Sequence, residues 1–115
     1  MGFFAKPRAA SETRTIRLDG QVATAYDRRG LAYRDKDDND RAIADFSQAI
    51  RLDGQLATAY NNRGLAYRAK DDNDRAIADF SMAAKIDPNF ALALSNRGNA
   101  YVDKRDYDRA IADLN

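Results

Sequence analysis

The chain repeats itself every 34 residues. Residues 23–56 and 57–90 are identical at 24 of 34 positions, and residue 91 opens a third copy, "ALALSNRGNAYVDKRDYDRAIADLN". Upstream, "TRTIRLDGQV" (13–22) matches "SQAIRLDGQL" (47–56) and reads as the tail of a preceding copy. A unit this short cannot bury an apolar face alone, so neighbouring copies must stack to make a core. The expected organisation is an N-terminal extension (1–12) and one repeat domain (13–115). That domain comprises a partial tail (13–22), a first repeat (23–56), a second repeat (57–90) and a truncated third repeat (91–115).

Inside one unit the apolar period is helical. Ala57, Tyr60, Gly64 and Tyr67 are spaced three, four and three apart and share one helix face. After an acidic turn, Ala76, Phe80 and Ala83 repeat the spacing, flanked by Ile77 and Ala84. Each unit is therefore two short helices, with helix A near 57–70 and helix B near 73–86 in the second copy. Pro88 biases Asp87 away from helix and ends helix B. At Asp53-Gly54 the left-handed freedom of Gly is expected to do the same. Neither helix is long enough to persist alone in water. Gly30, Gly64 and Gly98 recur mid-helix, where Gly costs up to about 1 kcal/mol against Ala, and so point to close helix approach.

These positions carry a resemblance. Numbering each copy from residues 23, 57 and 91, the second has Tyr60, Gly64, Ala66, Tyr67, Ala76, Phe80, Ala83 and Pro88 at positions 4, 8, 10, 11, 20, 24, 27 and 32. The pattern resembles the tetratricopeptide repeat. The resemblance implies an all-α fold, a right-handed superhelical array of antiparallel helix pairs. Two departures stand out. Arg29, Arg63 and Arg97 occupy position 7, usually Leu, where an aliphatic stem is expected to lie over the core. Asp37, Asp71 and Arg105 occupy position 15, usually Gly.

Several chemistries are excluded or disfavoured by residue types. The chain has no Cys and no His, which removes thiolate sites, disulfides and the commonest general base and metal ligand. Nineteen basic and eighteen acidic residues give a net charge of +1, without the footprint of a nucleic-acid binder. No apolar run approaches the roughly 20 residues that span a bilayer. The start, "MGFFAKPRAASETRT", is a poor secretory signal, and Lys6 departs from the myristoylation pattern. The expectation is a cytoplasmic protein without membrane or nucleic-acid partners.

The acidic stretch "DKDDNDRAIADFS" (35–47) invites a calcium reading. Counting from Asp35 places Asp40 where Gly is required and Phe46 where a bidentate Glu is required. The better reading makes Asp38, Asp72 and Asp106 N-caps of helix B, with Asp40, Asp74 and Asp108 in its first turn. No nucleophile–base cluster or phosphate loop is present, so no cofactor, metal or catalytic residue is expected.

The tetratricopeptide resemblance implies a protein-interaction module. Its concave face, lined by helix A at positions 2, 5, 6, 9, 12 and 13, would receive an extended peptide or a partner helix. The candidate residues on that face are Arg28, Arg34, Asn61, Asn62, Leu65, Arg68, Asn96 and Asn99. Asn62 and Asn96 share position 6, where an amide can match a peptide main chain. Arg28, Arg34 and Arg68 suit acidic side chains or a terminal carboxylate. The family's dicarboxylate clamp is incomplete, with Asp27 and Leu92 at two of its Lys positions. The alternative function is self-assembly, end to end or by domain swapping, through exposed Ile111 and Leu114.

Overall fold

A computed structural model describes residues 10–115. These residues form six helices in sequence: α1 (Ala10–Asp35), α2 (Asn39–Leu52), α3 (Ala57–Ala69), α4 (Asn73–Ile86), α5 (Ala91–Asp103) and α6 (Tyr107–Leu114). The first nine residues of the proposed 1–12 extension lie outside the described residues. Helix α1 contains helix A of the first repeat, and α3 and α5 are the A helices of the next two. Helices α2, α4 and α6 are the B helices. Packing is heaviest within each pair and between each B helix and the following A helix. The result is an elongated all-α solenoid of repeated helix pairs. Its radius of gyration is 16.7 Å, against about 13 Å for a globular chain of this length.

The turn from A to B is identical in all three copies. Lys36, Asp37 and Asp38 separate α1 from α2. Asp38 N–H donates to the Tyr33 carbonyl at 2.9 Å and Asp37 N–H to the Arg34 carbonyl at 2.8 Å, the paired bonds of a Schellman cap. Such a cap needs one left-handed residue. Asp37, Asp71 and Arg105 supply it, at φ 60°, 61° and 63°. That is the physical reason Gly suits position 15. Asp38 then serves twice, because its carboxylate also accepts from Arg41 N–H at 3.2 Å and caps α2. Asp72 and Asp106 do the same for Arg75 and Arg109.

Helix B ends differently from the expectation at one point. Gly54 does not adopt a positive φ. The Asp53 side chain instead accepts from Gln55 N–H at 3.1 Å, and Asp87 accepts from Asn89 N–H at the same distance. Both links are thus Asp-turns with the same backbone, which is why Pro88 can stand where Gly54 stands.

Close approach at the mid-helix glycines is real. A Cβ on Gly64 would lie 2.5 Å from Phe80 Cε1, and one on Gly30 would lie 2.5 Å from Phe46 Cε1. Phe46 and Phe80 are fully buried, each clustered with alanines from its own and the next repeat: Ala42 and Ala66, then Ala76 and Ala100. Leu114 takes the Phe position in the third copy and stays 48% exposed.

The sequence likeness of 13–22 to a helix-B tail does not make a separate helix end. Helix α1 runs unbroken through Asp19 and Gly20, whereas the matching Asp53-Gly54 interrupts the chain after α2.

Candidate functional site

The A helices line one face of the stack, and their polar residues are linked from repeat to repeat by a simple rule. Position 5 of one copy bonds to position 6 of the next. Asn62 Nδ2 donates to Asp27 Oδ1 at 3.0 Å, and Asn96 Nδ2 donates to Asn61 Oδ1 at 2.9 Å. Thr58, at position 2, adds a longer donation to Asp27 at 3.4 Å. Position 12 pairs with position 13 of the next copy. Arg68 Nε and Nη2 donate to the Asp103 carboxylate at 2.6 and 3.4 Å.

These contacts sort the candidate residues. Asn61 and Asn96 are buried between α3 and α5, and Asn62 is half-buried against Asp27. Arg68 is held by Asp103. Leu65 is half-buried and packs on the cluster of Ala76, Phe80 and Ala100, so it serves the core as well as the face. Arg28 is exposed and lines an open depression on α1 with Arg17, Gln21 and Thr24. Asn99 is half-buried. Arg34 is half-buried, and its Nη1 is fully buried without an acceptor. Among the described residues only Asn73 Oδ1 shares that condition. The remaining amide atoms of Asn61, Asn62 and Asn96 are therefore either bonded or open to solvent.

Within helix A, divergence between the first two copies falls on this face. Across the first 25 positions, the first and second repeats differ only at positions 5, 6 and 13: Asp27/Asn61, Arg28/Asn62 and Asp35/Ala69. The third repeat departs further at positions 2, 9 and 12, with Leu92, Asn99 and Val102. Leu92 is 56% exposed and Val102 41%.

The position-7 arginines do more than cover the core. Arg63 donates from Nε and Nη2 to Asp79, both at 2.8 Å, and from Nη1 to Ser47 Oγ of the preceding repeat at 3.1 Å. Arg97 repeats this with Asp113 and Ser81, and Arg29 pairs bidentately with Asp45. The aspartates are nearly buried, and Tyr60 and Tyr67 flank the Arg63 guanidinium at 5.6 and 5.8 Å. The hydrogen bond to Asp79 raises the Arg63 pKa, and the same interaction with Asp113 acts on Arg97. This triad clamps A to its own B and to the B before it. A spacing of 16 residues between Arg and Asp, kept in all three copies, was the available signal.

No group of three or more acidic, His or Cys side chains suited to a metal exists among the described residues. No helix among them is long and apolar enough to cross a membrane.

A solenoid of helix pairs with a polar, divergent A-helix face is a helical-repeat interaction domain. Family models confirm the class: a TPR repeat model matches residues 30–71, and tetratricopeptide repeat models match 57–90 and 91–115. The chain belongs to the tetratricopeptide repeat family, a non-catalytic protein-interaction module. No curated protein matches it in sequence. Among solved structures it is similar to the second TPR of Spaghetti (RPAP3) bound to the HSP90 peptide SRMEEVD. Identity there is 25%, over 88% of this chain and 93% of that one, with a TM-score of 0.84. The TPR2B domain of yeast Sti1, in complex with an Hsp70 peptide, is 28% identical over 82% of this chain and 75% of that one, at a TM-score of 0.80. MamA is 32% identical over 86% of this chain, which spans 58% of that protein, at a TM-score of 0.79.

Proposed function

We propose that the chain is a non-catalytic scaffold that binds an extended peptide along the concave A-helix face. The observation that carries the reading is that, over the first 25 positions, the first two repeats differ at positions 5, 6 and 13 of that face and nowhere else. Helix A packing residues are the same in these two copies, Ala, Tyr and Gly alike, whereas a ligand is not periodic, so a binding face gains from differing between copies. Peptide-bound neighbours of the same fold support it. The face is graded, with Arg28 and Arg34 in the first repeat and exposed Leu92 and Val102 in the third. An amide that already bonds its neighbour, such as Asn62 or Asn96, is held in one orientation and offers its free atoms to a peptide main chain.

The test is peptide selection by display followed by substitution at exposed positions that make no internal polar bond. Leu92→Asp and Val102→Asp should weaken a selected peptide about tenfold or more, with the thermal midpoint unchanged. A control on the B-helix side, Lys85→Glu, should leave affinity intact. Loss of binding in the control and not in the face variants would reject the assignment.

A second reading, self-association, has one specific observation behind it. Ile111 and Leu114 of α6 are 60% and 48% exposed, whereas their counterparts in α4, Ile77 and Phe80, pack against the next repeat. A second copy's α1, where Val22, Ala25, Tyr26 and Arg29 line an open groove, presents the A-helix surface that such a face meets inside the chain. Light scattering across concentration separates the readings; a monomer at high concentration removes this one.

A further inference from the structure

The pairing of position 12 with position 13 is complete between the second and third repeats and broken between the first and second. Arg68 has Asp103 as its partner, 35 residues ahead. Arg34 has Ala69 in that place. Among the described residues nothing else takes over. The Arg34 side chain makes no hydrogen bond or ion pair among the described residues: Nη1 is buried without an acceptor, and Nε and Nη2, the atoms by which Arg68 holds Asp103, have no carboxylate to meet. The acid that fills this place at the next junction, Asp103, is held by Arg68. Ala69 is exposed and carries only a methyl group, so the carboxylate position beside Arg34 is open from the groove.

We propose that Arg34 binds the side-chain carboxylate of an Asp or Glu in the ligand, in the place Asp103 occupies on Arg68. This rests on the peptide-binding reading and fixes one residue of the ligand. Among the described repeats, position 12 is left open in this way once. Arg68 is already neutralised, and the third repeat has Val102 at position 12. The ligand therefore presents an acid at the junction of the first and second repeats and has no matching need for one at the next junction. The carboxylate comes from a side chain within an extended segment. A chain terminus offers the same chemistry, so the experiment must separate the two.

The probe is a positional peptide library with amidated C-termini, in which each position in turn is Asp, Glu, Asn or Gln. A matched library carries free C-termini. Wild type should prefer an acid over its amide at one position by about tenfold, the scale of a charge-assisted bidentate bond. Arg34→Gln should abolish the preference. Ala69→Asp should abolish it too, by giving Arg34 an internal partner, while holding or raising the unfolding midpoint; a fold defect in Arg34→Gln thus leaves the second variant decisive. If peptides bind without acid preference, or with a preference both variants keep, the inference falls and the scaffold reading stands. Preference seen only with free C-termini assigns Arg34 to a chain end and overturns the side-chain claim. If no peptide is enriched in either library, the peptide-binding reading falls and takes this inference with it. Equal competition by single-stranded DNA in wild type and both variants also overturns it, since the attraction would then be diffuse charge.

Discussion

Asn96→Ala tests whether the polar residues of the groove hold the stack as well as facing a ligand. Asn96 Nδ2 donates to Asn61 Oδ1 at 2.9 Å, and the two residues are 9% and 3% exposed. Removing Asn96 leaves Asn61 Oδ1 desolvated without its donor. A buried polar group stranded in this way costs about 1–3 kcal/mol, and a neutral amide pair belongs at the lower end. We expect about 1.5 kcal/mol, a fall of several degrees in the thermal midpoint at this chain length. The loss should concentrate at the junction of α3 and α5, because a repeat array can open at one interface. Urea unfolding gives the size and amide exchange of α5 and α6 gives the place. The double-mutant cycle with Asn61→Ala is decisive. Once Asn61 is gone, Asn96→Ala should cost markedly less, with a coupling of about 1 kcal/mol. Additive effects, or a single-mutant loss under about 0.3 kcal/mol, would show that the amide pair contributes nothing and that both side chains are free for a ligand. The consequence for binding studies is direct. A double Asn62→Ala and Asn96→Ala variant perturbs the stack, so its lost affinity cannot be assigned to the groove alone.

Arg63→Met should be among the most damaging single changes, at about 3 kcal/mol by denaturant unfolding, because it strands the Asp79 carboxylate, which is only 7% exposed. Arg105→Gly and Asp71→Gly should each stabilise by a few tenths to about 1 kcal/mol, since both residues sit at φ near 60°; destabilisation of both would refute the Schellman reading of these turns. Gly54→Pro should stabilise by about 0.4–1 kcal/mol, because Gly54 follows Asp53 in the same Asp-turn in which Pro88 follows Asp87, and Asp53 is already extended at φ −143°. Gly20→Pro, in the same local sequence, should instead break α1 and lower the helical circular-dichroism signal, since Gly20 lies inside the helix.

Much of the fold was legible because a period is a redundant signal. Three copies state the same helix faces, so the second-repeat helices expected near 57–70 and 73–86 appear at Ala57–Ala69 and Asn73–Ile86. The Asp caps were legible for the same reason, as each sits three residues before the N–H it accepts. The Arg–Asp–Ser clamp is not legible in the same way. Its partners lie on different helices 16 residues apart, and a charged residue at an apolar position has a simpler local explanation in its stem. The face was legible as a set of positions, but not in its division of labour. Whether Asn62 points at a ligand or at Asp27 depends on how far one A helix stands from the next, a distance no local pattern encodes. Arg34 and Arg68 are the sharpest case: they occupy the same position in near-identical copies, and the difference between them lies 35 residues on, at Ala69 and Asp103.

The same limit appears in the backbone. "RLDGQ" occurs at 17–21 and at 51–55; the first is helix throughout, and the second ends α2 and turns. Local preference cannot separate them, since Asp and Gly are poor helix residues in both places. Their surroundings do. Leu52 and Leu56 pack on Ala23, Ala49 and Ala59, and that cluster forms only if the chain reverses after Leu52 to bring α3 back along α2. The matching Leu18 and Val22 are 50% and 44% exposed, and among the described residues no helix precedes α1 to bury them in a reversal. A turn there would give up helical hydrogen bonds and gain no core. Tertiary burial selects the turn at Asp53, and its absence leaves the helix at Asp19. The repeat unit is therefore a property of the stack: its sequence permits the turn, and a neighbour on which to fold decides it.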